Sequence, residues 1–147
     1  AKEILHRSIG KGPLSGITSG ALMTVLVQSS STTTSLVVPL VGSGILKAKD
    51  IYPFTLGANV GTCITALIAA LGVVGVNAGF ALQIAIVHLL YNVIGVTLIY
   101  GLPMLRNIPL DLSYRLSVMV ADTKLYGVAY IGGLFFCMPL GIIFASV

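Results

Sequence analysis

Eight consecutive polar residues, Gln28-Ser29-Ser30-Ser31-Thr32-Thr33-Thr34-Ser35, interrupt an otherwise apolar part of the chain. A hydroxyl both donates and accepts hydrogen bonds, and a Gln amide does the same through separate atoms. One such cluster can coordinate a dehydrated hard cation through oxygen and also donate to an oxyanion. A second polar island follows at Gly57-Ala58-Asn59-Val60-Gly61-Thr62. A single Ser or Thr in an apolar helix can bond back to its own backbone, but eight polar residues in a row exceed what back-bonding absorbs. A bound ligand or a wet cavity is the better account.

The elements that position these residues must be membrane elements. The chain is 56% hydrophobic and 8% charged, and its mean hydropathy is +1.05. A soluble domain carries about a quarter charged residues. All formal charges fall in three patches, Lys2 to Lys11, Lys47 to Asp50 and Arg106 to Lys124. About 20 apolar residues make one helical crossing of a hydrocarbon core. The composition therefore predicts an all-α polytopic membrane protein. The net charge of +4 fits basic residues held on the cytoplasmic side of a bilayer, not a nucleic-acid partner. Cys63 and Cys137 lie in apolar context and read as small hydrophobes. No signal-peptide cleavage pattern follows the first apolar run. The start at Ala1 and the stop at Val147 inside an apolar run point to a fragment.

Residues 13–46 read either as one spanning helix with a polar centre or as a re-entrant hairpin. The charges favour the hairpin. With 13–46 returning to its own side, 51–76 crossing and 80–102 crossing back, all three basic patches share one face. Asp50 reads as an N-cap with Pro53 in the first turn. Two glycines and Asn59 in mid-membrane predict that 51–76 is a broken helix, unwound near Gly57–Thr62. Gly57 with Gly61, and Gly12 with Gly16 and Gly20, also form small-xxx-small series suited to close packing. Residues 103–124 read as a basic cytoplasmic loop with an interfacial helix, and 125–147 as a last transmembrane helix in which Pro139 sets a kink. The whole of 1–147 is then a single transmembrane repeat unit.

No Lys or Arg lies between Asp50 and Arg106. An anion bound at membrane depth needs its charge offset by helix N-termini, by residues elsewhere, or by bound cations. Co-bound sodium would also couple the two fluxes.

The ordered motifs Gln28-Ser29-Ser30-Ser31, Pro39-Leu40-Val41-Gly42 and Tyr52-Pro53-Phe54-Thr55-Leu56-Gly57-Ala58-Asn59-Val60-Gly61-Thr62 resemble the type II sodium-dependent phosphate cotransporters. The likeness is to the second of that family's two inverted repeats, from about Gly16 to Pro103 and more weakly beyond. It implies sodium-coupled symport of inorganic phosphate, with no cofactor beyond the transported ions. It also implies phosphate contacts from Ser29, Ser30 and Ser31, and a sodium site from Gln28, Thr62 and Thr65. Thr32, Asn59, Gly57 and Gly61 would support that site. Ala58 stands where mammalian members carry Ser, which removes one hydroxyl. The expected partners are the missing N-terminal repeat and the lipid bilayer, with no nucleic acid. The expected location is the plasma or inner membrane, basic loops cytoplasmic, with a further span after Val147. Hydroxyl chemistry alone leaves sulfate or a carboxylate open as cargo. An intramembrane serine hydrolase using Ser43 and His88 is the competing class. His88 and Asn92 share a helix face and read as interhelical hydrogen-bond partners.

Overall fold

A computed structural model of the chain describes residues 12–146, so the first basic patch, Lys2 to Lys11, lies outside the described residues. Every regular element in that range is helical. The chain divides into two units, one ending at Arg106 and one beginning at Asn107.

In the first unit, α1 spans Pro13–Val27. Pro13 suits the first helical position, where its missing N–H is no loss. The helix ends because Gln28 adopts the left-handed conformation, φ 59°, with its N–H bonded to the Thr24 carbonyl at 2.7 Å. Ser29 is extended and caps α2, Ser30–Gly42, by accepting the Thr32 N–H on its side-chain oxygen at 3.2 Å. Residues 28 and 29 thus make the entire turn. A positive φ at Gly44 and two amides converging on the Leu40 carbonyl, from Ile45 and Leu46, then reverse the chain into α3, Ala48–Leu71. Lys47 is the N-cap. Asp50, expected there, sits in the first turn and accepts the Lys47 backbone N–H at 3.3 Å. Helix α3 therefore starts earlier than the sequence implied, and Pro53 lies inside it.

The expected break at Gly57–Thr62 is absent: α3 is continuous through both glycines. They serve the contact with α1. A Cβ on Gly57 would strike the Ile17 backbone, and one on Gly61 would lie 2.6 Å from the Ala21 carbonyl oxygen. In return, Gly16 meets Pro53, and Gly20 meets the backbone of Phe54 and Ala58. The two helices advance together in parallel, four residues per step. Such seams let backbones approach until dispersion and Cα–H···O contacts hold them. Glycine weakens a lone helix by about 1 kcal/mol, but the neighbour it admits restores more.

Helix α2 runs antiparallel to both. Val37, Leu46 and Phe54 are buried together, with Leu40, Val41, Ile45 and Ile51 packed around them. This cluster ties the end of α2 to the start of α3. A turn with positive φ at Gly75 leads into α4, Ala78–Gly101, which returns antiparallel along α3. Tyr100 then meets Tyr52, ring centroids 6.0 Å apart, and Arg106 lies 5.4 Å over the Tyr100 ring. Among the described residues, no hydrogen bond joins the His88 or Asn92 side chain to another helix: Asn92 Nδ2 donates to the His88 carbonyl of its own helix at 3.1 Å.

Helix α5, Pro103–Asp122, crosses the unit boundary and is longer than the short interfacial helix expected. In the second unit, α6 (Lys124–Gly132), a π-helical turn (Gly133–Cys137) and α7 (Met138–Ala145) form one apolar rod. Pro139 has no N–H and its ring displaces the carbonyl one turn back. The ladder accommodates this with a widened turn, in which the Met138 N–H bonds to the Gly133 carbonyl. Among the described residues, three helical stretches are long and apolar enough to cross a membrane: Ala48–Leu71, Ala78–Gly101 and Lys124–Ala145.

Candidate functional site

The hairpin tip is where the polar run converges. At about 1.5 Å per residue, α1 and α2 are about 22 and 20 Å long, against about 36 Å for α3. Both hairpin feet lie at the N-terminal end of α3, and the tip stops short of its C-terminal end. Ser30, Ser31, Thr34, Ser35 and Val38 of α2 face Asn59 of α3 across an open groove of about 390 Å³. Asn59 is the twelfth residue of the 24 in α3.

Four hydroxyls in this groove are free, which is unusual in these helices. Thr18, Ser19, Thr33, Thr62 and Thr97 each donate to a carbonyl one turn back, at 2.7–3.1 Å. Among the described residues, no hydrogen bond engages the hydroxyls of Ser30, Ser31, Thr34 or Ser35. The first turn of α2 adds backbone N–H groups that a helix cannot satisfy internally, together with the positive end of its dipole. Hydroxyls, an amide and a helix N-terminus make a neutral, donor-rich wall suited to an oxyanion.

The expected site residues separate into groups. Ser30, Ser31 and Asn59 do come together. Ser29 is the cap: its Oγ accepts from the Thr32 N–H and from Thr32 Oγ1 at 3.0 Å, and its own proton stays available. Thr32 is thereby a partner of the cap. Gln28 donates Nε2 to the Val25 carbonyl at 2.5 Å, which turns its Oε1 outward as an acceptor. Thr62 Oγ1 donates to the Ala58 carbonyl at 3.1 Å, and Thr65 Oγ1 to the Thr62 carbonyl at 2.8 Å. With their protons engaged, both oxygens offer lone pairs, the requirement of a hard-cation ligand. The seam sets Gly20 against Phe54 and Ala58, and Thr24 against Gly61, so one further step of four residues on each helix sets Gln28 about level with Thr65. Gln28, Thr62 and Thr65 do not line the serine groove. Gly57 and Gly61 hold the seam and do not line the serine groove.

Thr34 and Ser35 lie in the groove although sequence reasoning did not single them out as site residues. Their signal was present: each stands four residues after a serine of the motif and so shares its helix face. Ser43, the alternative nucleophile, donates to the Leu40 carbonyl at 3.2 Å. No hydrogen bond joins it to His88 among the described residues.

Fold and site together define a polytopic α-helical membrane chain whose polar hairpin tip forms an uncharged, hydroxyl-lined groove against a spanning helix. Residues 1–110 match the family model described as Na+/Pi-cotransporter, and the chain belongs to that family. It is 41% identical over 121 residues to sodium-dependent phosphate transport protein 2B of Mus musculus, covering 82% of this chain and 17% of that protein. It is 39% identical over 132 residues to protein 2C of Rattus norvegicus, covering 88% and 22%. Protein 2A of Oryctolagus cuniculus is 39% identical over 120 residues, covering 82% and 18%. The chain thus spans about a fifth of the length of these relatives. No solved structure matches it.

Proposed function

We propose that this chain supplies one half of the substrate site of a sodium-coupled inorganic phosphate symporter. One observation carries the reading: the free hydroxyls of Ser30, Ser31, Thr34 and Ser35 meet Asn59 at the mid-height of a membrane-length helix. Phosphate would enter this groove, accepting hydrogen bonds from the serines, the Asn59 amide and the first N–H groups of α2. Ser29 would donate its remaining proton from the cap. Gln28, Thr62 and Thr65 would hold sodium by neutral oxygens beside the tip. The charge of the anion is then met by the co-transported cation, since residues 51–105 carry no Lys or Arg. The protein so built is a carrier, not an enzyme, and needs no cofactor.

The hairpin is re-entrant in this reading, since its arms are shorter than the hydrocarbon core of about 30 Å. The second wall of the site would come from an inverted repeat elsewhere in the full-length protein, closing against the groove from the opposite side. A cytoplasmic side for the three basic patches is supported by the positive-inside tendency, and the membrane would be a plasma or inner membrane. The names of the relatives favour phosphate over sulfate or a carboxylate.

The test is uptake of radiolabelled phosphate by the full-length protein in cells, with sodium or choline outside. Uptake should require sodium. Ser30→Ala should raise the half-saturating phosphate about tenfold, the loss of one hydrogen bond to a charged ligand. Uptake of equal rate in choline would refute the reading.

A further inference from the structure

Thr24 is fully buried where α1 crosses α3, and its Oγ1 has no hydrogen-bond partner. Four other helical threonines behave differently, and the free hydroxyl of Thr34 differs in being open to the groove. Thr18, Thr33, Thr62 and Thr97 each donate to the carbonyl four residues back. Thr24 has the same option toward Gly20 and does not take it. An unsatisfied buried hydroxyl costs about 1–3 kcal/mol, while a Val of similar shape would carry no such penalty. The seam around it is otherwise made of groups without a polar side chain: Gly16, Gly20, Gly57, Ala58 and Gly61. A hydroxyl at this one position therefore calls for a partner from outside the chain.

Its surroundings state what that partner is. A Cβ on Gly61 would lie 2.7 Å from the Thr24 Cβ, so the glycine leaves room for the Thr24 side chain. The Thr24 carbonyl accepts the Gln28 N–H at 2.7 Å, and Gln28 stands four residues further, about 6 Å along the axis. Thr62 follows Gly61 directly, and Thr65 is level with Gln28. The next polar residues along the two helices toward the tip, Gln28, Thr62 and Thr65, are thus all uncharged oxygen carriers. Uncharged oxygen ligands suit a hard cation and not an anion, which would need more donors.

We propose that Thr24 contributes an oxygen ligand to the co-transported cation, extending the Gln28–Thr62–Thr65 set one turn below the hairpin tip. This rests on the sodium-coupled reading above. In the ion-bound state the lone pairs of Thr24 Oγ1 meet the cation. The hydroxyl is no longer orphaned, and α1 and α3 are clamped together by the ion.

The experiment uses the full-length transporter in proteoliposomes, with phosphate uptake followed as sodium is titrated against choline. Thr24→Val should raise the half-saturating sodium about fivefold or more, while the half-saturating phosphate at saturating sodium stays within about twofold of wild type. Thr24→Ser should keep the wild-type sodium curve. A merely structural threonine predicts the reverse: Thr24→Val melts at the same or a higher temperature and its sodium curve is unchanged. That result overturns the assignment. If Thr24→Val does not fold, Thr24→Ala and Thr24→Ser are compared in the same titration. A shift confined to Ala supports the proposal, and coincident curves overturn it. Wild-type uptake that ignores sodium would sink the symport reading itself, whereas sodium-dependent uptake indifferent to Thr24→Val sinks only the role of Thr24.

Discussion

Gly57→Ala is the sharpest test of the glycine seam, because it adds one methyl at the closest point between α1 and α3. The new Cβ would lie 2.7 Å from the Ile17 Cα and carbonyl carbon, and nearer still to its oxygen. All of these are backbone atoms and cannot rotate away. Ordinary contact begins at 3.4 Å, so the helices must separate by at least about 0.7 Å, and overpacking of this kind costs about 1–3 kcal/mol. The glycine gave up about 1 kcal/mol of helix propensity to be there, which offsets part of that loss. Gly95 is the matched control, since nothing lies within 4 Å of a Cβ added there, and Gly95→Ala gains propensity at no steric expense. Purified full-length Gly57→Ala should melt several degrees below Gly95→Ala. Its sodium half-saturation should also rise, because moving α1 separates Gln28 from Thr65. Equal melting temperatures and equal sodium curves for the two variants would refute the seam as the determinant of site geometry, and would revive an unwound step at these glycines.

Gln28 occupies the left-handed region with φ 59°, which costs a side-chain-bearing residue about 1 kcal/mol or more relative to glycine. Gln28→Gly should therefore raise the melting temperature while impairing sodium-dependent uptake; a variant with unimpaired uptake would remove Gln28 from the cation site. Ser29→Ala removes the cap of α2 and should lose about 1 kcal/mol of stability. Ser29→Asp restores the cap but sets a carboxylate beside the groove proposed for phosphate, so stability should recover while phosphate uptake fails; recovery of both would show that Ser29 only caps. Thr34→Val and Ser35→Ala each remove a free groove hydroxyl, and each should weaken half-saturation by phosphate about tenfold without changing thermal stability. Phosphate titration and melting of the same preparations decide that point.

The parts of this protein legible in sequence are those that depend on local chemistry. Hydropathy marks the membrane segments, because burial in hydrocarbon is a property of each residue summed over a window. The polar run at Gln28–Ser35 stands out for the same reason. Reading Gly57–Thr62 as a break went wrong where local propensity and tertiary contact disagree. Two glycines in a lone helix do favour unwinding, but here a second helix presses the backbone of Ile17 and Ala21 against them.

Ser30, Ser31 and Asn59 are visible as polar outliers, yet only the antiparallel return of α2 along α3 sets them on one groove. Thr34 and Ser35 join them through helical phase, which appears once the helix start at Ser30 is known. Thr24 could not be distinguished from any other threonine by its neighbours in sequence. Its lack of a partner belongs to the seam: the crossing of α1 and α3 excludes water from its hydroxyl, and its side chain does not back-bond. The sequence by itself thus determined which segments are long and apolar enough to cross a membrane and which residue types could bind ions. The tertiary structure decided which of those oxygens are already engaged by the backbone and which remain open, because that depends on groups brought together across helices.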